Sequence, residues 1–193
     1  DPDPASSDAI AAYRKALEIN PNDASLRAEL ARILTYSSSL LSTVEQRRER
    51  LAEARAEIDQ ATELAPDSSI VQAVRSFVYD WNANPQIAGE LARDYLTEAR
   101  QSAARALQID PNNALALAFY AEVLVDQQEW TQAEEYAKQA VVLGPELMDT
   151  HRVHGYVLES LSYYNAAIEE YVKAAQINPQ IAGELARDDL TEA

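Results

Sequence analysis

Apolar residues recur along this chain at helical spacing, in short amphipathic blocks that end on prolines. Twelve and five residues before five of these prolines the residue is always alanine: Ala9 and Ala16 for Pro21, Ala54 and Ala61 for Pro66, Ala99 and Ala106 for Pro111, Ala133 and Ala140 for Pro145, Ala167 and Ala174 for Pro179. Eight residues before them stand the apolar or bulkier Tyr13, Ile58, Ala103, Ala137 and Tyr171. Ten residues after the first four prolines come small residues, Ala31, Ser76, Ala121 and Gly155, and thirteen after come the large Leu34, Tyr79, Leu124 and Leu158. Small residues let helices touch and large ones fill the space between them, so the pattern describes ridge-and-groove packing at fixed intervals. Proline closes each block because it lacks an N–H and its ring clashes with the preceding turn. Met148 to Pro179 is the most regular copy: two short helices, with small Gly155 in the first and Ala167, Tyr171 and Ala174 in the second.

The frame predicts a polar linker over 1–8, DPDPASSD, with Ser7 or Asp8 capping a helix that begins near Ala9. The last two proline spacings are 34 residues, whereas Pro21 to Pro66 and Pro66 to Pro111 are 45. The eleven extra residues are expected between the helices of a pair: a serine-rich loop, Tyr36 to Thr43, that also caps the next helix, and Asn82 to Gly89, where Pro85 marks a turn. The second helices of these two pairs also read as long. Arg55 and Asp59, one turn apart, suit a solvated face. The RRER run at 47–50 is interleaved with glutamates, which argues against a nucleic-acid patch.

This skeleton resembles the tetratricopeptide repeat, a helix-turn-helix unit with a period of about 34 residues. The resemblance spans nearly the whole chain. It implies an all-α, right-handed α-solenoid over 9–179. Within it stand a lone N-terminal helix, then four pairs, two lengthened and two of standard length, and a C-terminal capping helix or tail over 180–193.

Composition agrees with that class and narrows the partners. With 47% hydrophobic residues and four glycines in 193 residues, the chain can bury a core made of helices. A formal charge of −16 repels nucleic acid and anionic membrane surfaces and favours basic or apolar polypeptides. No apolar run reaches the roughly 20 residues a bilayer span needs. The absence of cysteine rules out disulfides and thiol chemistry but leaves the compartment open. The chain starts at Asp1 without a visible targeting segment, as an excised domain or processed chain does.

Little in the sequence points to catalysis. His151 and His154 lie three apart on one helix, but both fall where the repeat packs helix on helix, and no cysteine or nearby aspartate completes a metal set. There is no phosphate-binding glycine loop and no nucleophile elbow. The expectation is therefore a non-enzyme without cofactor or metal.

Recognition is what the resemblance implies, with first helices lining a concave groove that receives an extended peptide or a helix. The groove-facing positions are Arg32, Thr35 and Tyr36; Phe77, Asp80 and Trp81; Glu122, Val125 and Asp126; and Arg152, Tyr156 and Glu159. Aromatic and arginine side chains supply binding energy there, while the acids select a basic partner. A second reading has Phe77 and Trp81 packing on the insert loops instead. The carboxylate clamp of chaperone-binding members does not match: its sites hold Ala28 and Arg32, Ala73 and Phe77, Ala118 and Glu122, and Arg152 and Tyr156. The function expected is a protein–protein scaffold or adaptor. The alternatives are head-to-tail or tail-swapped self-assembly, and an accessory domain of a larger protein.

One feature departs from ordinary repeat divergence. Asn178 to Ala193 copies Asn84 to Ala99 with a single change, Tyr95 to Asp189. The copy is out of frame, since Pro179 closes a repeat whereas Pro85 lies inside one. It reads either as a closing helix over the last apolar face or as a mimic that docks on a neighbouring molecule.

Overall fold

The computed structural model describes residues 4–178. The linker residues before Pro4 and the duplicated tail from Pro179 onward lie outside them. Every regular element among the described residues is a helix, and the fold is that of stacked helix pairs.

The chain divides into two units, 1–111 and 112–193. In the first, α1 (Pro4–Ile19), α2 (Ala24–Ser38), α3 (Val44–Leu64), α4 (Ser69–Asn82), a one-turn α5 (Pro85–Ala88) and α6 (Ala92–Ile109) follow in order, with a 3-10 turn over Gly89–Leu91. In the second come α7 (Ala114–Asp126), α8 (Trp130–Leu143), α9 (Met148–Ser160) and α10 (Tyr164–Ile177). Three first helices pack both on their own second helix and on the second helix before it: α2 lies on α1 and α3, α4 on α3 and α6, α9 on α8 and α10.

The prolines mark these turns, and the residue two places later starts the next helix. Asp23, Ser68 and Asn113 each accept a hydrogen bond from a backbone N–H of the first turn, which satisfies a donor that the helix leaves open. The signature alanines then lie at contact: Ala54, Ala61, Ala99, Ala106, Ala133 and Ala140 are fully buried. Large residues fill the space between, with Leu34 and Leu124 also completely enclosed. In unit 2 the turns within pairs are alike. Gln128 and Ser162 take left-handed φ of 62° and 64°, and the next N–H reaches back to the carbonyl of Leu124 or Leu158 at 2.8 Å. This six-to-one closure ends a helix tightly and turns the chain at once.

The second helices of the lengthened pairs are long, as read from the sequence, and they take up part of the insertion expected between the helices. Helix α3 has 21 residues and α6 has 18, against 14 in α8 and α10, so much of each insertion is two turns or one turn of second helix. Tyr36 to Ser38, expected as loop, belong to α2. The hydroxyls of Thr35, Ser37 and Ser38 donate to carbonyls three or four residues back, so these residues need no external partner to stay helical and buried. Thr43 does cap α3, in a reciprocal capping box with Gln46. The Pro85 turn is a short helix instead, with Asn84 as cap and Pro85 in its first turn. Helix α1 begins at Pro4, so Ser7 and Asp8 lie within it and do not cap it.

The charged residues of α3 also face inward more than expected. Arg47 donates to the Leu41 carbonyl, Arg50 to the Ser37 hydroxyl, and Arg48 to the carbonyls of Ile87 and Gln86 in α5. The RRER run thus ties the insertions down. Arg55 and Asp59 are half-buried against α4 rather than solvated. Arg55 bonds Asn82 at 3.0 Å and lies 4.8 Å over the Tyr95 ring, and Asp59 accepts from the Tyr79 hydroxyl at 2.9 Å. Burial pushes that hydroxyl up to about 12, with Arg75 opposing and Asp59 adding to the rise.

Candidate protein-binding surface

In unit 1 the candidate residues come from α2 and α4, which pack side by side. Tyr36, Phe77 and Trp81 form one aromatic cluster, with ring centroids 4.9 Å apart for Tyr36–Phe77, 5.3 Å for Phe77–Trp81 and 5.7 Å for Tyr36–Trp81. Tilted and edge-on geometries of this kind add to area burial because ring edges meet ring faces. Phe77 and Tyr36 are buried, while Trp81 is half-exposed. The cluster therefore joins two first helices. Arg32 on α2 is half-buried and pairs with Glu29 one turn earlier at 2.7 Å. Thr35 is enclosed in α2, and Asp80 is buried too.

In unit 2 the candidates on α7 and α9 meet one another. Arg152 donates to both carboxylate oxygens of Glu122, at 2.9 and 2.6 Å, and its Nε lies 3.8 Å from Asp149. Both partners are about 6% exposed, so this is a buried bidentate pair and not an offered charge. Burial alone depresses the guanidinium; the Glu122 charge and hydrogen bonds, with Asp149, outweigh it and raise the pKa. Near the ends of the same helices the Tyr156 hydroxyl donates to Asp126 at 3.0 Å, where Asp126 is exposed and Tyr156 half-exposed. Glu159 accepts from the Tyr171 hydroxyl at 2.6 Å, which fixes it against α10. Val125 is buried. The Glu122–Arg152 and Asp126–Tyr156 couplings each span thirty residues, and only the first is signalled in the sequence by opposite charge.

The alanines at clamp positions, Ala28, Ala73 and Ala118, are buried at helix contacts, so no row of cations runs along the first helices there.

Behind this surface, α9 and α10 hold a buried polar cluster that the sequence pattern only partly foreshadows. His151 places Nδ1 2.6 Å from Glu170 Oε2 and Nε2 3.0 Å from the Pro145 carbonyl. His154 approaches the same carboxylate at 3.4 Å, and Lys173 closes on its other oxygen at 2.6 Å. Glu170 is the residue missed, because its two histidine partners lie in the preceding helix. Its pKa is pulled down despite burial, by the hydrogen bonds from Lys173 and His151 and by the nearby His154. His154 is driven down by burial, which outweighs the attraction of Glu170. Among the described residues no group of three or more ligating side chains could hold a metal ion. Gly155 lets the Tyr171 ring sit on α9, since a Cβ there would come within 2.7 Å of the ring.

Comparison with known proteins adds the family to this geometry. A family model described as tetratricopeptide repeat matches residues 84–147, and a second with the same description matches 6–23 and 153–181. Among solved structures, the chain is similar to TTC0263, a thermophilic TPR protein in Thermus thermophilus. Identity is 20%, the match covers 94% of this chain and 88% of that one, and the TM-score is 0.70. A MamA structure from Desulfovibrio magneticus RS-1 is matched at 14% identity over 91% and 87% of the two chains, with a TM-score of 0.48. No curated protein sequence matches the chain.

Proposed function

Because this chain is a tetratricopeptide-repeat protein, we propose that it serves as a non-catalytic scaffold or adaptor, taking an extended peptide or a helix of a partner protein against its first helices. The family's fold is one of protein–protein interaction in general; the binding mode is our reading. The observation that carries it is the Tyr36–Phe77–Trp81 cluster, which holds Trp81 half-exposed on a buried aromatic base. A rigid aromatic backed in this way binds without first losing much side-chain freedom. In unit 2 the accessible groups of the same helices are Asp126, Tyr156 and, in part, Glu159, and the Tyr156 hydroxyl donates to Asp126. A charge of −16 favours a basic partner, and the exposed aromatics favour one that also carries apolar residues.

The test is selection from a library of basic and apolar peptides with wild type and with the double variant Trp81→Ala, Tyr156→Ala. Both side chains are half-exposed, and far-UV circular dichroism of the variant checks that its helices persist. The proposal expects the selected peptides to bind the variant at least tenfold more weakly. Equal binding to both proteins moves the site to the insertions or the second helices.

A further inference from the structure

The two histidines of α9 meet one carboxylate of α10, and they meet it differently. His151 is served at both ends: Nδ1 lies 2.6 Å from Glu170 Oε2, and Nε2 lies 3.0 Å from the Pro145 carbonyl. Both partners are acceptors, so this ring has a place for a proton on each nitrogen. His154, three residues on, has no such place. Both of its ring nitrogens are shut away from solvent, and neither makes a hydrogen bond. Glu170 Oε2 stands 3.4 Å from its Nδ1 and is already engaged by His151. The other oxygen of Glu170 accepts from Lys173 at 2.6 Å. A neutral imidazole leaves one N–H uncompensated in this seam, whereas an imidazolium would leave a charge.

The charged groups around His154 are engaged elsewhere. On α10, exposed Glu169 acts on Lys173. On α8, Lys138 is paired with Glu134 and still opposes a second positive charge at His154. On α9, Asp149 approaches Arg152, and Glu159 accepts from the Tyr171 hydroxyl. On α7, Glu122 is bonded to Arg152 and Asp126 to Tyr156. Burial therefore holds His154 below the usual histidine value, against the pull of Glu170.

We propose that His154 is a proton-operated switch on the seam between α9 and α10. Once protonated, it gives Glu170 a third donor to serve beside His151 and Lys173, and α10 parts from α9 so that water reaches the imidazolium. The opening is local to this seam. On its other side α9 is held to α7 by the bidentate Arg152–Glu122 pair, which contains no histidine. Parting lifts the Tyr171 ring from Gly155 and its hydroxyl from Glu159. Acidification thereby releases one carboxylate of the candidate binding surface.

The switch is independent of what binds the first helices, and its readout is exchange rather than binding. Amide hydrogen exchange on the full chain at pH 7.5 and 5.5, corrected for intrinsic rates, is the measurement. From pH 7.5 to 5.5, α10 should lose about tenfold in protection, the loss that linkage gives one pH unit below the ordinary 6.5, while α7 and α8 change little. His154→Gln removes the proton site and should keep α10 equally protected at both pH values. Lys173→Gln, at an exposed position, frees Glu170 Oε1 for the imidazolium and should make the loss smaller than in wild type. A merely structural Lys173 would instead lower protection equally at both pH values. Four results overturn the proposal: a wild-type α10 equally protected at both pH values, a loss shared equally by α7, α8 and α10, a His154→Gln protein that opens like wild type, or a Lys173→Gln protein whose loss is as large as wild type's.

Discussion

Gly155 and Ser76 occupy the same place in two first helices, ten residues past a proline, and the structure gives them opposite demands. At Gly155 an added methyl group would lie 2.7 Å from the Tyr171 ring, whose hydroxyl is fixed on Glu159. Gly155→Ala gains about 1 kcal/mol of helix propensity but faces overpacking of about 1–3 kcal/mol, so thermal or urea unfolding should show a net loss. Ser76 is fully buried, and its hydroxyl finds no hydrogen-bond partner. Ser76→Ala removes a desolvated polar group and should leave stability unchanged or raise it by about 1 kcal/mol in the same assay. The sequence shows that both positions need small residues; it does not show which ring or helix sets the limit. The Glu122–Arg152 pair makes the same point at longer range. Arginine and glutamate at these positions read as groove charges, and only the packing of α7 on α9 turns them into a buried bidentate pair. Arg152→Ala should cost about 3–5 kcal/mol in urea unfolding, because it strands a buried carboxylate, whereas replacing both partners with apolar residues should cost far less.

At the scale of elements, prolines and alanines made the pairs legible, since a helix end and a close contact each require a particular residue type. The insertions were less legible. Serines 37 and 38 suggest a loop on composition, but their hydroxyls bond the helix that they continue. The charges of α3 suggest solvent on pattern, but they reach across to α4 and α5. The α9–α10 cluster has a consequence for pH. Folding lowers the pKa of His154 from 6.5, so the unfolded chain binds its proton first and stability falls as pH drops below about 6.5. Glu170, also held low, adds a loss at more acid pH, below its ordinary 4.5. Thermal melts of wild type and His154→Gln between pH 5 and 7.5 check the sign. Wild type should lose stability across that range on acidification, and the variant should be nearly flat there.

For the whole molecule, the repeat signature spans both units, and the family matches fall at the start of the chain, across its middle and at its last described pair. The proposed recognition rests on the first helices of each unit, where Trp81 stands on Tyr36 and Phe77 in the first and Tyr156 is bonded to Asp126 in the second. Hydrogen exchange on the complex with a selected peptide tests this most directly. The account predicts slowed exchange in α2, α4, α7 and α9, with second helices α3, α6, α8 and α10 little changed. Protection confined to the second helices or to 83–91 would contradict it.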